Sequence, residues 1–139
     1  MKINNHIYNK ILSKCSSIST EAGGIIGGNN GIVTIFYFDK GIERNIPGYY
    51  IPNVDLFNLH LSKWQKRNID FYGIIHSHKN DYENLSSSDK NYIRAIMKAM
   101  PNEICFLYFP IVHNNVISSY KAIRNYDEIF ISNEEIIQI

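Results

Sequence analysis

Apolar residues recur at Ile7, Ile11 and Ile18 with polar residues between them, the spacing of an amphipathic helix. Ser19 and Thr20 break that pattern. The next apolar run, GGIIGG (residues 23–28), predicts a short buried strand edged by glycines. Glycine inside a strand marks a bulge or a close approach of backbone. Asn29, Asn30 and Gly31 form a hairpin turn signal, and IVTIFYF (32–38) is a β-branched and aromatic run that predicts the second arm. A turn at Asp39 to Gly41 leads to a short strand over 43–46.

Residues 52–68 predict a helix, capped by Asn53 or Asp55, with Leu56, Leu59 and Trp64 on its inner face. IDFYGIIHSH (69–78) predicts a strand. Residues 86–100 predict another helix, ended by Pro101. Two more strands follow at 103–110 and 115–123, and the tail supplies a further strand and a short closing segment. This order of elements defines a mixed α/β fold, a mixed β-sheet packed between helices. No repeat, low-complexity stretch or linker divides the chain, and 139 residues fit a single domain, 1–139.

Composition narrows the function classes. Hydrophobic residues make up 45% of the chain and charged residues 19%, enough apolar surface for a core and too much for a disordered chain. The formal net charge is +1, and no block of like charge stands out, so a nucleic-acid surface is not expected. Lys63, Lys66 and Arg67 read as a solvated helix face. Cys15 and Cys105 lack metal or redox spacing and read as small buried or half-buried residues, with a reduced cytoplasmic setting as the expectation. The first residues lack a continuous apolar signal region, and no stretch approaches the ~20 apolar residues of a membrane span, so no membrane partner is expected.

The chemistry concentrates where the strand at 69–78 ends. Residues i and i+2 of a strand share a face, so His76 and His78 project together while Ser77 points away. Zinc takes neutral imidazole nitrogens and carboxylate oxygens, and a catalytic site has three protein ligands and a water. Asp89 supplies the third ligand if the intervening loop folds back onto the strand end. Two neutral histidines and one carboxylate leave a divalent centre at net +1, a charge that acidifies bound water toward ~7. Ser86-x-x-Asp89 before an apolar run is equally a helix-capping pattern. A zinc hydrolase also needs a general base, and Glu21, just before GGIIGG, is the candidate. Its alternative is an exposed turn glutamate or a helix C-terminal residue. His6, His60 and His113 fit no ligand pattern and read as surface or packing residues.

Glu21 before GGIIGG, His76-Ser77-His78, ten intervening residues and Asp89, with Ser86 three before it, resemble the JAMM motif of the MPN+/JAB metalloprotease family, in its compact prokaryotic form. EAGGIIGG, FYGIIHSH and SSSD are similar to the family's segments, and 103–123 resembles its later strands. The resemblance implies an MPN/JAB-like sheet in a cytidine-deaminase-like layer architecture. It implies a deubiquitinase-like zinc isopeptidase or peptidase, with one Zn2+ per chain held by His76, His78 and Asp89. Glu21 would move the proton of the water, and Ser86 would help to stabilise the oxyanion. The implied substrate is a ubiquitin-like or otherwise C-terminally conjugated protein. E1/E2-like operon partners, as in bacterial antiphage conjugation systems, are the first expected context, and processing of a sulfur-carrier protein is the second. Many members have proline after the second histidine where this chain has Lys79, which implies a less rigid start to the loop. Two other classes stand beside this one: a non-catalytic MPN interaction module, and a RadC-like domain tied to DNA repair.

Overall fold

The computed structural model describes residues 1–42, 50–79 and 82–139. The strand expected at 43–46 lies outside them. The chain opens with a two-residue strand β1 (Lys2–Ile3) and helix α1 (Asn5–Ser16). Asn4 caps α1 through its side chain, which accepts from the His6 N–H. The helix buries Ile7, Ile11 and Cys15. Ile18 falls beyond its end, so Cys15 completes the inner stripe. Strands β2 (Gly23–Asn29) and β3 (Ile32–Asp39) form the expected hairpin. Asn30 and Gly31 at its tip both have positive φ, as a two-residue turn of this hand requires.

Helix α2 (Val54–Lys66) is capped by Asn53, whose side chain accepts from the Leu56 N–H. Its inner face differs from the expectation: Phe57 and Trp64 are buried, whereas Leu56 and Leu59 are 36% and 50% exposed. The reason lies in β2. A Cβ at Gly27 would fall 2.7 Å from the Trp64 ring, so that glycine makes the hollow which receives the indole. Seating Trp64 there fixes the rotation of α2 and carries Leu56 and Leu59 outward.

Strand β4 (Asp70–Ser77) pairs antiparallel with β2, and helix α3 (Ser87–Ala99) follows. The strand expected over 103–110 is shorter and is followed by one not foreseen: β5 (Phe106–Tyr108) and β6 (Ile111–His113). Both pair with β4 on one side and with β7 (Val116–Asn125) on the other. They act as one strand interrupted at Pro110, which has no N–H for the ladder. β8 (Glu128–Glu134) pairs with β7, and β9 (Ile137–Gln138) pairs with β1. The described residues thus form a mixed nine-stranded sheet.

Alternation along the central strands splits the core in two. Ile26 and Ile75 face α1 together with Val33 and Phe36. Ile25 and Ile74 face the opposite way, among Phe57, Trp64, Ile93 and Met97 of α2 and α3. The sheet is therefore packed between helices, as expected. Arg124 of β7 donates to the carbonyls of Met97 and Met100 and closes the C-terminal end of α3. No helix among the described residues is long and apolar enough to cross a membrane.

Candidate metal centre

His76 and His78 stand at the end of β4, and Asp89 reaches them from the first turn of α3. The Nε2 atoms of the two histidines are 2.9 Å apart. His76 Nε2 lies 3.2 Å from Asp89 Oδ1, and His78 Nε2 lies 3.2 Å from Asp89 Oδ2. Sequence reasoning brought these three residues together, and so does the fold.

His78 and Asp89 are each held by a second contact. His78 Nδ1 is 2.8 Å from the carbonyl oxygen of Tyr82. A carbonyl only accepts, so Nδ1 carries the proton, and neutral His78 presents a bare lone pair at Nε2. Asp89 is in a full capping box: its Oδ2 accepts from the Ser86 N–H at 2.8 Å, while Ser86 Oγ accepts from the Asp89 N–H at 3.1 Å. The two readings of Ser86-x-x-Asp89 are one structure. Capping aims the carboxylate at the histidines and leaves the Ser86 hydroxyl proton free to donate.

The cluster fits a small cation. With both imidazoles neutral, His78 Nε2 and Asp89 Oδ2 face each other without a proton between them. Three contacts then share at most one N–H, that of His76. Ligands at ~2.0–2.1 Å around a tetrahedral ion are separated by about 3.3 Å, close to the 2.9–3.2 Å seen among these donors. His76, His78 and Asp89 can therefore hold a metal ion. Without one, positive charge accumulates as protons. Burial pulls His78 down, but its bonds to Asp89 and the Tyr82 carbonyl raise it above its ordinary value of 6.5. Burial pushes Asp89 up, but hydrogen bonds from His76 and His78 hold it far below the usual carboxylate range.

Glu21 is not among the clustered donors. Its position follows from register. Gly23 pairs with His76. Ala22 and Ser77 then exchange two hydrogen bonds: Ser77 N–H to the Ala22 carbonyl at 2.7 Å, and Ala22 N–H to Ser77 Oγ at 3.0 Å. The ladder ends there, and Glu21 is the next residue back along the chain. Its charge contributes to the raised proton affinity of His78. Ser77, 1% exposed, is thus a positioning residue that the sequence reading passed over.

Two further features were missed. Asp39, 6% exposed, accepts from the N–H groups of Gly41 and Asn53 and from the Tyr50 hydroxyl at 2.8–3.0 Å. That holds Tyr50 against Gly23, the cross-strand partner of His76, where a Cβ would meet the ring at 2.7 Å. No sequence signal marks an aspartate as a clamp across fourteen residues. Lys79 donates through Nζ to the Cys15 carbonyl at 2.7 Å. The start of the loop is therefore tied to the C-terminal end of α1, a favourable place for a cation. His60 stacks on Tyr37 with ring centroids 3.6 Å apart, a packing residue as expected.

Comparison with solved structures defines the class of fold. The chain matches the solution structure of protein DSY2949 from Desulfitobacterium hafniense with a TM-score of 0.71 at 18% identity, covering 99% of this chain and 92% of that one. It matches AF2198, a JAB1/MPN domain protein from Archaeoglobus fulgidus, at 0.55 and 12% identity over 100% and 96%. A structure described as JAMM, a metalloprotease-like zinc site in the proteasome and signalosome, matches at 0.52 and 13% over 100% and 97%. No protein-family model and no curated protein sequence matches the chain. The fold is that of the JAB1/MPN domain. On it the chain carries a His76, His78 and Asp89 group able to bind a metal ion.

Proposed function

We propose that the protein is a zinc-dependent peptidase or isopeptidase acting after the C-terminus of a ubiquitin-like or otherwise conjugated protein. The observation that carries this reading is the convergence of His76, His78 and Asp89 within 3.2 Å of one another; Glu21, two residues before the Gly23 that pairs with His76, supplies the base in this reading. The imidazole nitrogens and the carboxylate suit zinc. When bound, the ion supplies Lewis acidity toward a carbonyl and toward water.

The chain's own groups do the rest. Glu21 accepts a proton from the attacking water and returns it to the leaving amine. The free hydroxyl proton of Ser86 donates to the oxyanion as it forms. The Tyr82 carbonyl keeps the proton of His78 on Nδ1, away from the donor cluster. Ser77 holds the backbone of Ala22, directly after Glu21. A substrate attached by activating and conjugating enzymes, in an antiphage context, is the first expectation for the protein's partner.

Elemental analysis of the purified chain beside a His76→Ala variant tests the metal. His76 has no part in the helix cap, so its loss separates metal binding from the stability that Asp89 gives α3. One zinc per chain, lost in the variant, is expected. A ubiquitin-like protein whose C-terminal Gly-Gly is fused to a reporter peptide then tests hydrolysis. Glu21→Gln should keep the metal and abolish cleavage. Cleavage by Glu21→Gln at the native rate would overturn the assignment of the base. A metal-free native chain after zinc is supplied would leave a non-catalytic interaction module.

A further inference from the structure

We propose that the hollow between α3 and the β7–β8 wing is a docking groove for an acidic peptide segment of the protein substrate, with Lys90 and Arg94 as the residues that read its charge. As a substrate site this rests on the hydrolase reading above. The hollow has a volume of about 350 Å³, within the range of ligand clefts. Lys90 and Arg94 form one wall, Tyr120 and Asn133 the other, and Tyr82 and Asn84 close the end nearest the metal centre.

Its place ties it to the reaction. The Tyr82 carbonyl is the partner of His78, and Lys90 directly follows Asp89. The groove therefore adjoins the donor cluster at these two residues. The walls are set by buried contacts: Tyr120, 8% exposed, donates its hydroxyl proton to Asn84 Oδ1 at 3.2 Å.

Its charge selects the occupant. Lys90 and Arg94 are one helical turn apart and share a face. Among the described residues no carboxylate lines this hollow. Three other cations are committed: Arg124 to the end of α3, Lys79 to the end of α1, and Lys121 to the face of Phe106 at 4.3 Å. The side chains of Lys90 and Arg94 make no hydrogen bond or ion pair among the described residues, so they remain open to an anionic partner. A second hollow, sharing Asn84, Tyr120 and Asn133, continues the groove toward Glu83 and Glu134. Glu134 is ion-paired with the Met1 amino group at 2.6 Å. One end of the groove is therefore cationic and the other carries carboxylates, which sets the direction: acidic side chains lie along α3.

The test is an NMR titration of the isotope-labelled full chain with a flexible Gly/Ser peptide carrying several glutamates, beside the same peptide with glutamines. The glutamate peptide should shift the amides of 82–85, 90–94 and 131–133. Its affinity should fall about tenfold with the glutamine peptide and in the Lys90→Gln/Arg94→Gln variant, as two exposed ion pairs imply. It should also weaken as salt rises from about 0.05 to 0.5 M. Equal binding of the two peptides, shifts elsewhere, or unchanged affinity in the variant would overturn the groove. Citrate matching the peptide at equal carboxylate concentration would also overturn it, as a general anion site. A chain that binds the glutamate peptide here but hydrolyses nothing keeps the groove and loses the protease reading. A chain that cleaves the fusion but is indifferent to peptide charge keeps the protease and loses the groove.

Discussion

The β2–β4 pair and the β7–β8 pair are both antiparallel ladders, yet they are built from opposite materials. In β2 every residue from Gly23 to Gly28 is buried, and only Asn29 is exposed. In β8 exposed and half-buried residues alternate from Glu128 to Ser132. The first pair has helices on both faces. The second packs Ile129 and Ile131 toward α3. On the other face, Phe106, Ile123 and Phe130 stand in direct register across β5, β7 and β8, 38%, 38% and 51% exposed. Burial on both faces removes the polar alternation of a strand and leaves its polar residues at the ends. The chemistry accordingly sits where β4 emerges, at the end of a strand whose middle is buried. The wing has only one face to satisfy, so its outer residues are free to vary.

Trp64→Ala breaks the comparison on the central side. It empties the hollow over Gly27 and should cost about 3–5 kcal/mol in denaturant unfolding. Phe130→Ala in the wing should stay within about 0.5 kcal/mol. Equal costs would mean that the wing carries as much of the stability as the centre.

Ser86→Ala sharpens it next, because one hydroxyl serves both stability and the proposed chemistry. Loss of the cap should cost about 1 kcal/mol. Loss of the donor should lower turnover of the fusion substrate by about 10²–10³ at unchanged zinc content. A stability loss alone would confine Ser86 to the cap.

The pH dependence of stability separates the metal-free from the metal-loaded centre. Asp89 is depressed from its ordinary 3.8, so its contribution is present above that value and lost as pH falls through the lower, folded one. His78 is raised from 6.5, so its contribution is full below 6.5 and lost as pH rises through the higher, folded value. The metal-free chain should therefore lose stability from pH 6 to 8 in thermal melts. Zinc requires neutral histidine, so the zinc-loaded chain should gain over the same interval. A metal-free chain that also gains would refute the proton count of the cluster.

The smallest effect contrasts the cysteines. Cys15 is buried, and burial pushes its thiol up to about 11 despite the nearby Lys79. Cys105, just before β5, is exposed. A thiol reagent at neutral pH should modify Cys105 alone in the native chain and both once it is unfolded. Native labelling of Cys15 would mean that α1 opens locally.

Local chemistry carried much of this protein in its sequence. The hairpin at Asn30 and Gly31, the cap at Asn53 and the paired direction of His76 and His78 depend on neighbours within a few residues, and they are legible for that reason. So is Ser86 to Asp89, whose two meanings proved compatible. Long-range packing decided the rest. The rotation of α2 depends on a hollow at Gly27, twenty-seven residues before Val54. Leu56 and Leu59 satisfy helical periodicity as well as Phe57 does, and periodicity cannot choose between two apolar stripes. The interruption of the strand at Pro110 is set by pairing with β4 and β7. The bond from His78 to Tyr82, the clamp at Asp39 and the bonds between Ala22 and Ser77 each use backbone groups, which no sequence pattern displays. The residue types for a metal centre were written in the chain. Their convergence to 2.9–3.2 Å came from the β2–β4 register and the seating of α3, because only packing fixes distances between segments far apart in sequence.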